Sequence, residues 1–410
     1  MSKEHLTYFK VENFKRFDSL ELTDIGQFNL VVGDNNVGKT SLLEALLFDT
    51  DRKKCLTNLH KTLFLKGLNI RPKMVYGPKG EIVEVLYPEE NFLRYIFKKT
   101  DGVLKFNVKI GFETGIESSS NGTSDYGTSV DVDIEMSGFP SDYAYDSKDK
   151  DYDPHFVFTG KSPDNRYIQF LGDYFSQFPD VYDDEGNHFG GEHHSREREI
   201  AGLYDHLLQA THEDFPLLST SLPENGALPK IYFEQVNLSR KEKKQLIEDM
   251  KFLLPEIEDF EVRKIGGEDQ LLVGMKGKDE LMPISIFGES VTRATQILLE
   301  ISKFRGKRLM IDEIDTGIHY SRMKHFLKTI FQVAVKNEVQ LFMTTHSLEC
   351  QQAFAEVFEA PDMLQHQQNA RQYTLIEKPD GQVTAIKRDW KQLEFALETD
   401  NETRGGKQVW

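Results

Sequence analysis

The segment GDNNVGKT, from Gly33 to Thr40, limits the possible folds more than any other part of this 410-residue sequence. An apolar run at 28–32 precedes it and the stretch SLLEALLF follows it, which is the order of a strand, a phosphate-binding loop and a helix. In such a loop, glycines let backbone N–H groups turn toward a phosphate, the lysine binds β- and γ-phosphate oxygens, and the last hydroxyl is a ligand of Mg²⁺. The motif therefore predicts a nucleoside triphosphate and Mg²⁺, held by Gly33, Asn35, Asn36, Gly38, Lys39, Thr40 and Ser41.

Two carboxylates follow a short apolar run in the distal half of the chain. The run at 309–311 ends in Asp312 and Glu313, so we expect a buried strand whose carboxyl end lies beside the phosphate-binding loop. At that position Asp312 would hold Mg²⁺ together with Thr40, and Glu313 would polarise the attacking water as a general base.

A histidine follows a second apolar stretch at 340–344, in the sequence Thr345-His346-Ser347. An isolated histidine is usually structural, but parallel strands end at one edge of a sheet, so this imidazole would lie near the carboxylates. We predict that His346 senses the γ-phosphate and that it acts with Lys39 and Glu313 in catalysis.

These motifs, with the stretch ISIFGESVTRATQILLEI at 284–301, resemble ABC-type ATPases of the SMC/RecF/OLD group. The chain is most similar to OLD-like ATPases that carry no nuclease domain. The resemblance covers about residues 6–60 and 240–360 and fails over most of 75–225. It implies an α/β fold, namely an ABC-type P-loop ATPase head with a mostly parallel core sheet, an antiparallel β subdomain and an inserted helical, acidic element.

The resemblance also implies ATP as the nucleotide and a homo-oligomer in which each ATP lies between two chains. Gly288 to Ser290 would form the signature loop that reaches the γ-phosphate bound by another subunit. Ser290 stands where the family normally has a second glycine, so its side chain would either crowd the phosphate or donate a hydrogen bond to it. Lys15 and Phe17 are candidates for a place beside the adenine, the alternative being a surface lysine and a core phenylalanine.

Composition shifts and turn signals divide the chain into five parts. They are an N-terminal ATPase segment with the P-loop at 1–74, an antiparallel β subdomain at 75–140, an acidic Tyr-rich insertion with helices at 141–230, a C-terminal ATPase lobe at 231–380 and a tail at 381–410. In more detail, we expect two strands and the P-loop helix in 1–50, helices in 196–216 and 239–254, a hairpin around Gly266-Gly267, and a short helix with a flexible end in the tail.

Charge is distributed unevenly around a net charge of −17. Residues 52–73 contain seven basic residues and no acidic one, which indicates a solvated face or a patch for DNA, RNA or an acidic trigger protein. Residues 141–199 reverse the balance, with 14 acidic residues, 6 basic ones and interleaved tyrosines, so we expect them to dock on another protein or subunit. Within this stretch, GNHFGGEHHSRERE carries three histidines, and its glycines favour a mobile loop over a zinc site.

Two cysteines far apart in sequence indicate neither a disulfide framework nor a zinc knuckle. There is no apolar stretch of about 18 residues and no leader-like N-terminus, so we expect a soluble, cytoplasmic protein without a membrane partner.

The residues and the resemblance together predict an ATP-hydrolysing oligomer that controls a separately encoded effector. Apart from the Asp-Glu pair assigned to ATP, the sequence contains no acidic cluster of the kind that metal-dependent nucleases need, so the output must come from another chain. By length and layout the chain resembles the ATPase subunit of PARIS-type antiphage systems, and this resemblance implies a TOPRIM-type nuclease as the effector. Two alternatives remain open at this point: a RecF-like DNA-repair ATPase, and a nucleotide-dependent scaffold with little turnover.

Overall fold

The computed structural model describes residues 5–48, 58, 62, 215–219, 227–237, 239–399 and 403 together with the backbone of several strands between 73 and 173. Three of the predictions therefore lie outside the described residues: the basic patch, the histidine-containing loop and the helix expected from residue 196. Most of the acidic stretch lies outside them as well.

The strands, numbered along the chain, are β1 (Leu6–Phe14), β2 (Phe17–Thr23), β3 (Phe28–Gly33), β4 (Lys73–Tyr76), β5 (Ile82–Leu86), β6 (Lys98–Thr100), β7 (Val103–Phe112), β8 (Ser129–Ser137), β9 (His155–Lys161), β10 (Tyr167–Asp173), β11 (Leu217–Leu218), β12 (Ile257–Ile265), β13 (Glu268–Met275), β14 (Met282–Pro283), β15 (Arg308–Ile311), β16 (Gln340–Thr344), β17 (Ala370–Glu377) and β18 (Val383–Asp389). The helices are α1 (Lys39–Ala45), α2 (Ala227–Tyr232), α3 (Arg240–Met250), α4 (Glu289–Lys303), α5 (Tyr320–Lys336), α6 (Leu348–Val357) and α7 (Trp390–Glu398).

The core sheet has the strand order β11-β15-β16-β3-β17-β18. All neighbouring pairs are parallel except the last, in which β18 returns antiparallel to β17. Every residue of β3, β15 and β16 is buried, as expected of parallel strands covered on both faces. This arrangement places the carboxyl ends of β3, β15 and β16 side by side, and those ends carry the three predicted motifs.

The second large sheet is antiparallel and has the order β10-β9-β8-β7-β1-β2, with β6 paired to β7. It joins the N-terminal hairpin to strands about a hundred residues later, for example Val11 to Val108. The α/β fold with a mostly parallel core sheet and a separate antiparallel sheet is thus confirmed.

The details of this sheet differ from the sequence-based division of the chain. Residues 1–50 contain three strands before α1, not two, since the β1–β2 hairpin precedes β3. The antiparallel sheet also runs past residue 140, because β9 and β10 lie in the stretch expected to be a helical insertion. Strand pairing between segments so far apart in sequence leaves no local signal at such boundaries.

The predicted C-terminal elements form with small differences. Ser239 caps α3 by accepting a hydrogen bond from the Glu242 N–H, and β12 and β13 pair as the expected hairpin around Gly266-Gly267. The boundary drawn at residue 380 falls in the turn between β17 and β18, so the tail segment contributes a strand to the core sheet.

The tail helix α7 begins at Trp390, whose indole N–H donates to the Ala355 carbonyl. Thr403, in the part expected to be flexible, is buried, and its carbonyl accepts a hydrogen bond from Thr374. In the described ranges, no helix is both long and apolar enough to cross a membrane.

Candidate active site

The loop between β3 and α1 has the backbone that its glycines allow. Gly38 has φ 109° and Asn36 has φ 62°, both in the left-handed region. A Cβ added at Gly38 would lie 2.9 Å from the Phe17 ring, so the loop also requires glycine for space. Asp34, Asn35 and Asn36 are exposed, so their backbone groups are open to a ligand, and Ser41 is half-buried at the start of α1.

Lys39 is held inside this loop by two backbone carbonyls. Its ammonium donates to the carbonyls of Gly33 (2.9 Å) and Asp34 (2.8 Å) and lies 3.4 Å from Nδ1 of His346. Burial lowers the pKa of Lys39 to about 8, although the carboxylates of Asp312, Asp34 and Glu313 act in the opposite direction. The negative charge of a bound phosphate would favour the charged ammonium form of Lys39 and so raise its pKa.

Thr40 and Asp312 meet as the motifs predict. The Thr40 hydroxyl donates to one carboxylate oxygen of Asp312 at 2.9 Å, and Thr344 donates to the other at 2.6 Å. The Thr40 hydroxyl lies in the first turn of α1 and the Asp312 carboxylate lies directly after β15. Both are oxygen ligands of the kind that Mg²⁺ takes, so these residues fit the ion. In the described part of the chain there is no cluster of three or more His, Cys, Asp or Glu side chains that could hold a different metal.

Glu313 stands in a strained turn directly after β15. Its φ is 49°, in the left-handed region, which a non-glycine residue adopts at a cost of about 1 kcal/mol or more. Its N–H donates to the Thr344 hydroxyl (2.8 Å), and Thr316 donates to its carboxylate (3.2 Å). Strain of this kind that is fixed by hydrogen bonds is common where a side chain must be aimed at a ligand.

His346 is exposed at the end of β16, within reach of Lys39. Its pKa is lowered, first by partial burial and then by the charge of Lys39. The imidazole is therefore held in its neutral form, which can donate one hydrogen bond to a phosphate oxygen and accept another.

The predicted signature loop lies at the start of α4, on an open surface. Gly288 has φ 93°, and a Cβ built there meets no described atom within 4 Å. Ser290 is half-buried in the first turn of the helix. Behind the loop, a Cβ at Gly317 would lie 3.3 Å from the Glu289 side chain, so the start of α4 and the segment after Glu313 touch within one chain.

The structure thus brings Lys39, Thr40, Asp312, Glu313 and His346 together. It places Gly288 and Ser290 at the start of α4, where Gly288 is exposed with respect to the described residues. Lys15 and Phe17 do not line an open base site: the Phe17 ring is completely buried, and the ammonium of Lys15 pairs with the buried carboxylate of Glu44. Of the two positions considered for Phe17, beside the adenine or in the core, the structure shows the core position.

Three residues of the site escaped the sequence analysis. Thr344 and Thr345 brace the turn after β15, the second by donating to the Asp315 carboxylate at 2.7 Å. Arg293 of α4 is buried and donates to the Asp312 carbonyl at 3.0 Å. The paired threonines before His346 were a usable signal, because polar residues at the end of a fully buried strand need buried partners.

Comparison with known proteins gives one family and several weaker likenesses. The model of the family described as "AAA domain, putative AbiEii toxin, Type IV TA system" matches residues 28–349. A protein of Helicobacter pylori (strain ATCC 700392 / 26695) named "ATP/GTP phosphatase" is 23% identical over 378 residues, which is 86% of this chain and 88% of that protein.

Two solved structures show a limited likeness. The SMC head bound to the C-winged helix domain of ScpA is 12% identical with a TM-score of 0.42, and the match covers 96% of this chain and 99% of that one. The SMC head domain from Thermotoga maritima is 11% identical with the same TM-score, and covers 94% and 99%. A TM-score of 0.42 is too low to transfer the position of individual elements.

Proposed function

The chain belongs to the family described as "AAA domain, putative AbiEii toxin, Type IV TA system" and is a P-loop ATPase, and on that premise we propose that it hydrolyses ATP with Glu313 as the general base. One observation carries this proposal, namely that two loop residues contact residues that follow two other strands of the sheet. The Lys39 ammonium lies 3.4 Å from Nδ1 of His346, and the Thr40 hydroxyl donates to the Asp312 carboxylate at 2.9 Å. These contacts join residues 307 and 272 positions apart at the carboxyl edge of the parallel core sheet, which is the edge where open α/β sheets bind their ligands.

The residues divide the chemistry among them. Lys39 and the backbone N–H groups of the loop bind the β- and γ-phosphates, and Glu313 accepts a proton from the water that attacks the γ-phosphorus in line. His346 donates to the γ-phosphate and so reports whether that phosphate is present. Bound to Thr40 and Asp312, Mg²⁺ supplies charge stabilisation of the phosphate oxygens.

Lys39→Ala tests the binding half of the proposal. It removes the one mobile cation of the loop and leaves the backbone cradle, so we expect turnover to fall by about 100-fold or more. Phosphate release and equilibrium ATP binding are measured together with the unfolding midpoint, which shows whether the variant is folded. Wild-type turnover in a folded Lys39→Ala protein would contradict the P-loop assignment.

A second subunit completes the site in our proposal. Among the described residues, no atom lies within 4 Å of a Cβ built at Gly288 in the signature loop, and two large apolar side chains beside the loop are exposed: Ile286 at 66% and Tyr320 at 69%. In sequence, Ile286 comes three residues before Glu289 and Tyr320 comes three residues after Gly317, and Glu289 and Gly317 lie against each other. Exposed aromatic and aliphatic side chains of this kind are typical anchors of an interface.

Tyr320→Ala should therefore weaken ATP-dependent self-association of the Glu313→Gln protein by about 10-fold or more. Phe395→Ala is a matched control, because Phe395 is 62% exposed on α7, away from the signature loop. Light scattering with and without ATP gives the mass. An equal effect of both substitutions, or no ATP-dependent mass, would contradict the interface.

We further propose that the ATPase cycle controls a separate effector, a TOPRIM-type nuclease or a toxin, in bacterial antiphage defence. Support comes from the resemblance to nuclease-free OLD-like ATPases and from the mention of a toxin in the family description. Mass spectrometry of chains that co-purify with the native protein, with and without ATP, tests it. Purification of the chain alone under every nucleotide condition would contradict control by a bound effector.

Two other functions make different predictions. A RecF-like repair ATPase would bind DNA when ATP is added, which the net charge of −17 does not favour. A scaffold would bind ATP and hardly hydrolyse it, and Ser290 in the signature loop is the residue that favours this alternative. ATP-dependent DNA binding and the measured turnover separate the three.

A further inference from the structure

We propose that Thr344 is a positioning residue, whose single hydroxyl fixes the Asp312 carboxylate and the strained backbone of Glu313 at the same time. The inference rests on the proposed function, since it assigns a role to Thr344 through the two residues that carry the chemistry there. It concerns a completely buried side chain whose hydroxyl bonds to Asp312 and Glu313.

Thr344 is the last residue of β16 and has no exposed surface. Its hydroxyl donates to Oδ1 of Asp312 at 2.6 Å and accepts from the N–H of Glu313 at 2.8 Å. Its carbonyl accepts from the N–H of Ile314 at 3.0 Å. Three consecutive residues of the turn after β15 are therefore tied to one residue of the neighbouring strand.

The two hydroxyl bonds define the direction of each partner. A threonine hydroxyl has one proton to donate, and here it goes to Asp312, which leaves the other carboxylate oxygen for Thr40 and the metal. The lone pair that accepts from Glu313 holds that N–H in the conformation with φ 49°. Without this acceptor, the Glu313 N–H would lose this hydrogen bond, and the turn would be less firmly held in the left-handed region.

Thr345, the residue directly after β16, repeats the same arrangement. Its hydroxyl donates to Oδ1 of Asp315 at 2.7 Å and accepts from the N–H of Ser347 at 3.0 Å. One threonine thus braces the Asp312-Glu313 turn, and the next connects the following acidic residue to the segment that carries His346. The end of β16 sets the relative positions of the proposed base and the proposed γ-phosphate sensor.

The substitution Thr344→Val keeps the shape and the β-branch but removes both hydroxyl bonds, whereas Thr344→Ser keeps the bonds. We expect kcat to fall by about 10- to 100-fold in the valine variant, because a displaced base loses most of its effect. ATP affinity measured without Mg²⁺ should stay within about 3-fold, since the phosphate contacts of Lys39 and the loop backbone do not pass through Asp312, and the serine variant should recover kcat to within about 3-fold.

Thr295→Val is the matched control for loss of a buried hydroxyl. Thr295 is also completely buried and donates to the Val291 carbonyl within α4, away from Asp312 and Glu313. It should lower the unfolding midpoint less than Thr344→Val does, because its hydroxyl bonds a carbonyl within its own helix, and should leave kcat within about 2-fold. If Thr344→Val does not fold, Thr344→Ala, which leaves room for a water molecule, provides the same comparison of kcat with ATP affinity.

The double variant Thr344→Val, Glu313→Gln makes the test specific. Because Thr344 acts partly through Glu313, adding the valine substitution to Glu313→Gln should lower residual turnover by a smaller factor than it lowers kcat of the native protein, since residues that act as a unit are not additive. The factor that remains measures the action of Thr344 through Asp312. Normal kcat in a folded Thr344→Val protein, or equal losses from Thr344→Val and Thr295→Val, would overturn the inference. Normal turnover in Glu313→Gln would instead overturn the proposed function, whatever Thr344 does.

Discussion

Proton uptake on nucleotide binding follows from the surroundings of Lys39. Burial lowers the pKa of its ammonium to about 8 in the nucleotide-free protein. A triphosphate bound in the loop adds negative charge within hydrogen-bond distance, and opposite charge favours the ammonium form. We therefore expect ATP binding to return the pKa of Lys39 to its ordinary range.

The size of the uptake can be worked out from that pKa. With a pKa of about 8, roughly a quarter of the Lys39 side chains are protonated near pH 8.5 and about nine-tenths near pH 7. Binding should take up about 0.7 to 0.8 proton per site near pH 8.5 and only about 0.1 from this group near pH 7. ATP affinity should fall as the pH rises above about 8, because the neutral amine must first regain its proton.

The same shift affects folding. Between about 8 and the ordinary lysine value of 10.5, the unfolded chain binds a proton that the folded chain has lost. The free energy of unfolding of the nucleotide-free protein should therefore rise with pH across that window, and below it the contribution is constant.

Titration calorimetry in two buffers with different ionisation enthalpies measures the uptake directly. Lys39→Arg is the control, since a guanidinium stays charged over this range and has no proton to gain. ATP is already fully ionised near pH 8.5, so its own titration does not contribute there. Uptake that is the same at both pH values, or the same in Lys39→Arg as in the native protein, would refute the reasoning.

Three further predictions concern the surroundings of the site. Arg308→Met should lower the free energy of unfolding by about 3 kcal/mol in urea titrations, because buried Arg308 donates to the Leu46 and Phe48 carbonyls after α1. Arg305→Met, at an exposed arginine nearby, is its control and should cost less than about 1 kcal/mol. Gly38→Ala should abolish measurable ATP binding in a folded protein, since its Cβ would lie 2.9 Å from the Phe17 ring at φ 109°; unchanged affinity would contradict the loop geometry. Reversing Lys53, Lys54 and Lys61 to Glu should leave ATP binding intact and weaken binding of an acidic trigger protein or nucleic acid. About 1 M salt should weaken the same binding in the native protein. Binding that changes under neither condition would show that the basic segment 52–73 is not the binding surface.

The sequence was sufficient to predict the meeting of the motifs at one sheet edge. Each motif follows a short apolar run, and parallel strands buried on both faces place their carboxyl ends together. That rule alone predicted the contact of Thr40 with Asp312 and the nearness of His346 to Lys39.

Long-range pairing and buried polar partners could not be predicted in the same way. Nothing local in β1 indicates that it pairs with β7, and the pairing of β17 with β3 depends on residues far along the chain. The sequence left open whether Phe17 lies beside the adenine or in the core, and its position on β2 places its ring in the core against Gly38. The hydroxyl of Thr344 acquires its role only from two partners on another strand.

The turnover of Glu313→Gln, measured beside its affinity for ATP, tests the central claim most directly. Glutamine keeps the shape of the side chain and removes the base, so phosphate release should fall by about 100-fold or more while ATP affinity stays within about 3-fold. Single-turnover phosphate release and equilibrium binding on the same preparation give both numbers. Hydrolysis at the native rate by a folded Glu313→Gln protein would show that Glu313 is not the general base of this ATPase.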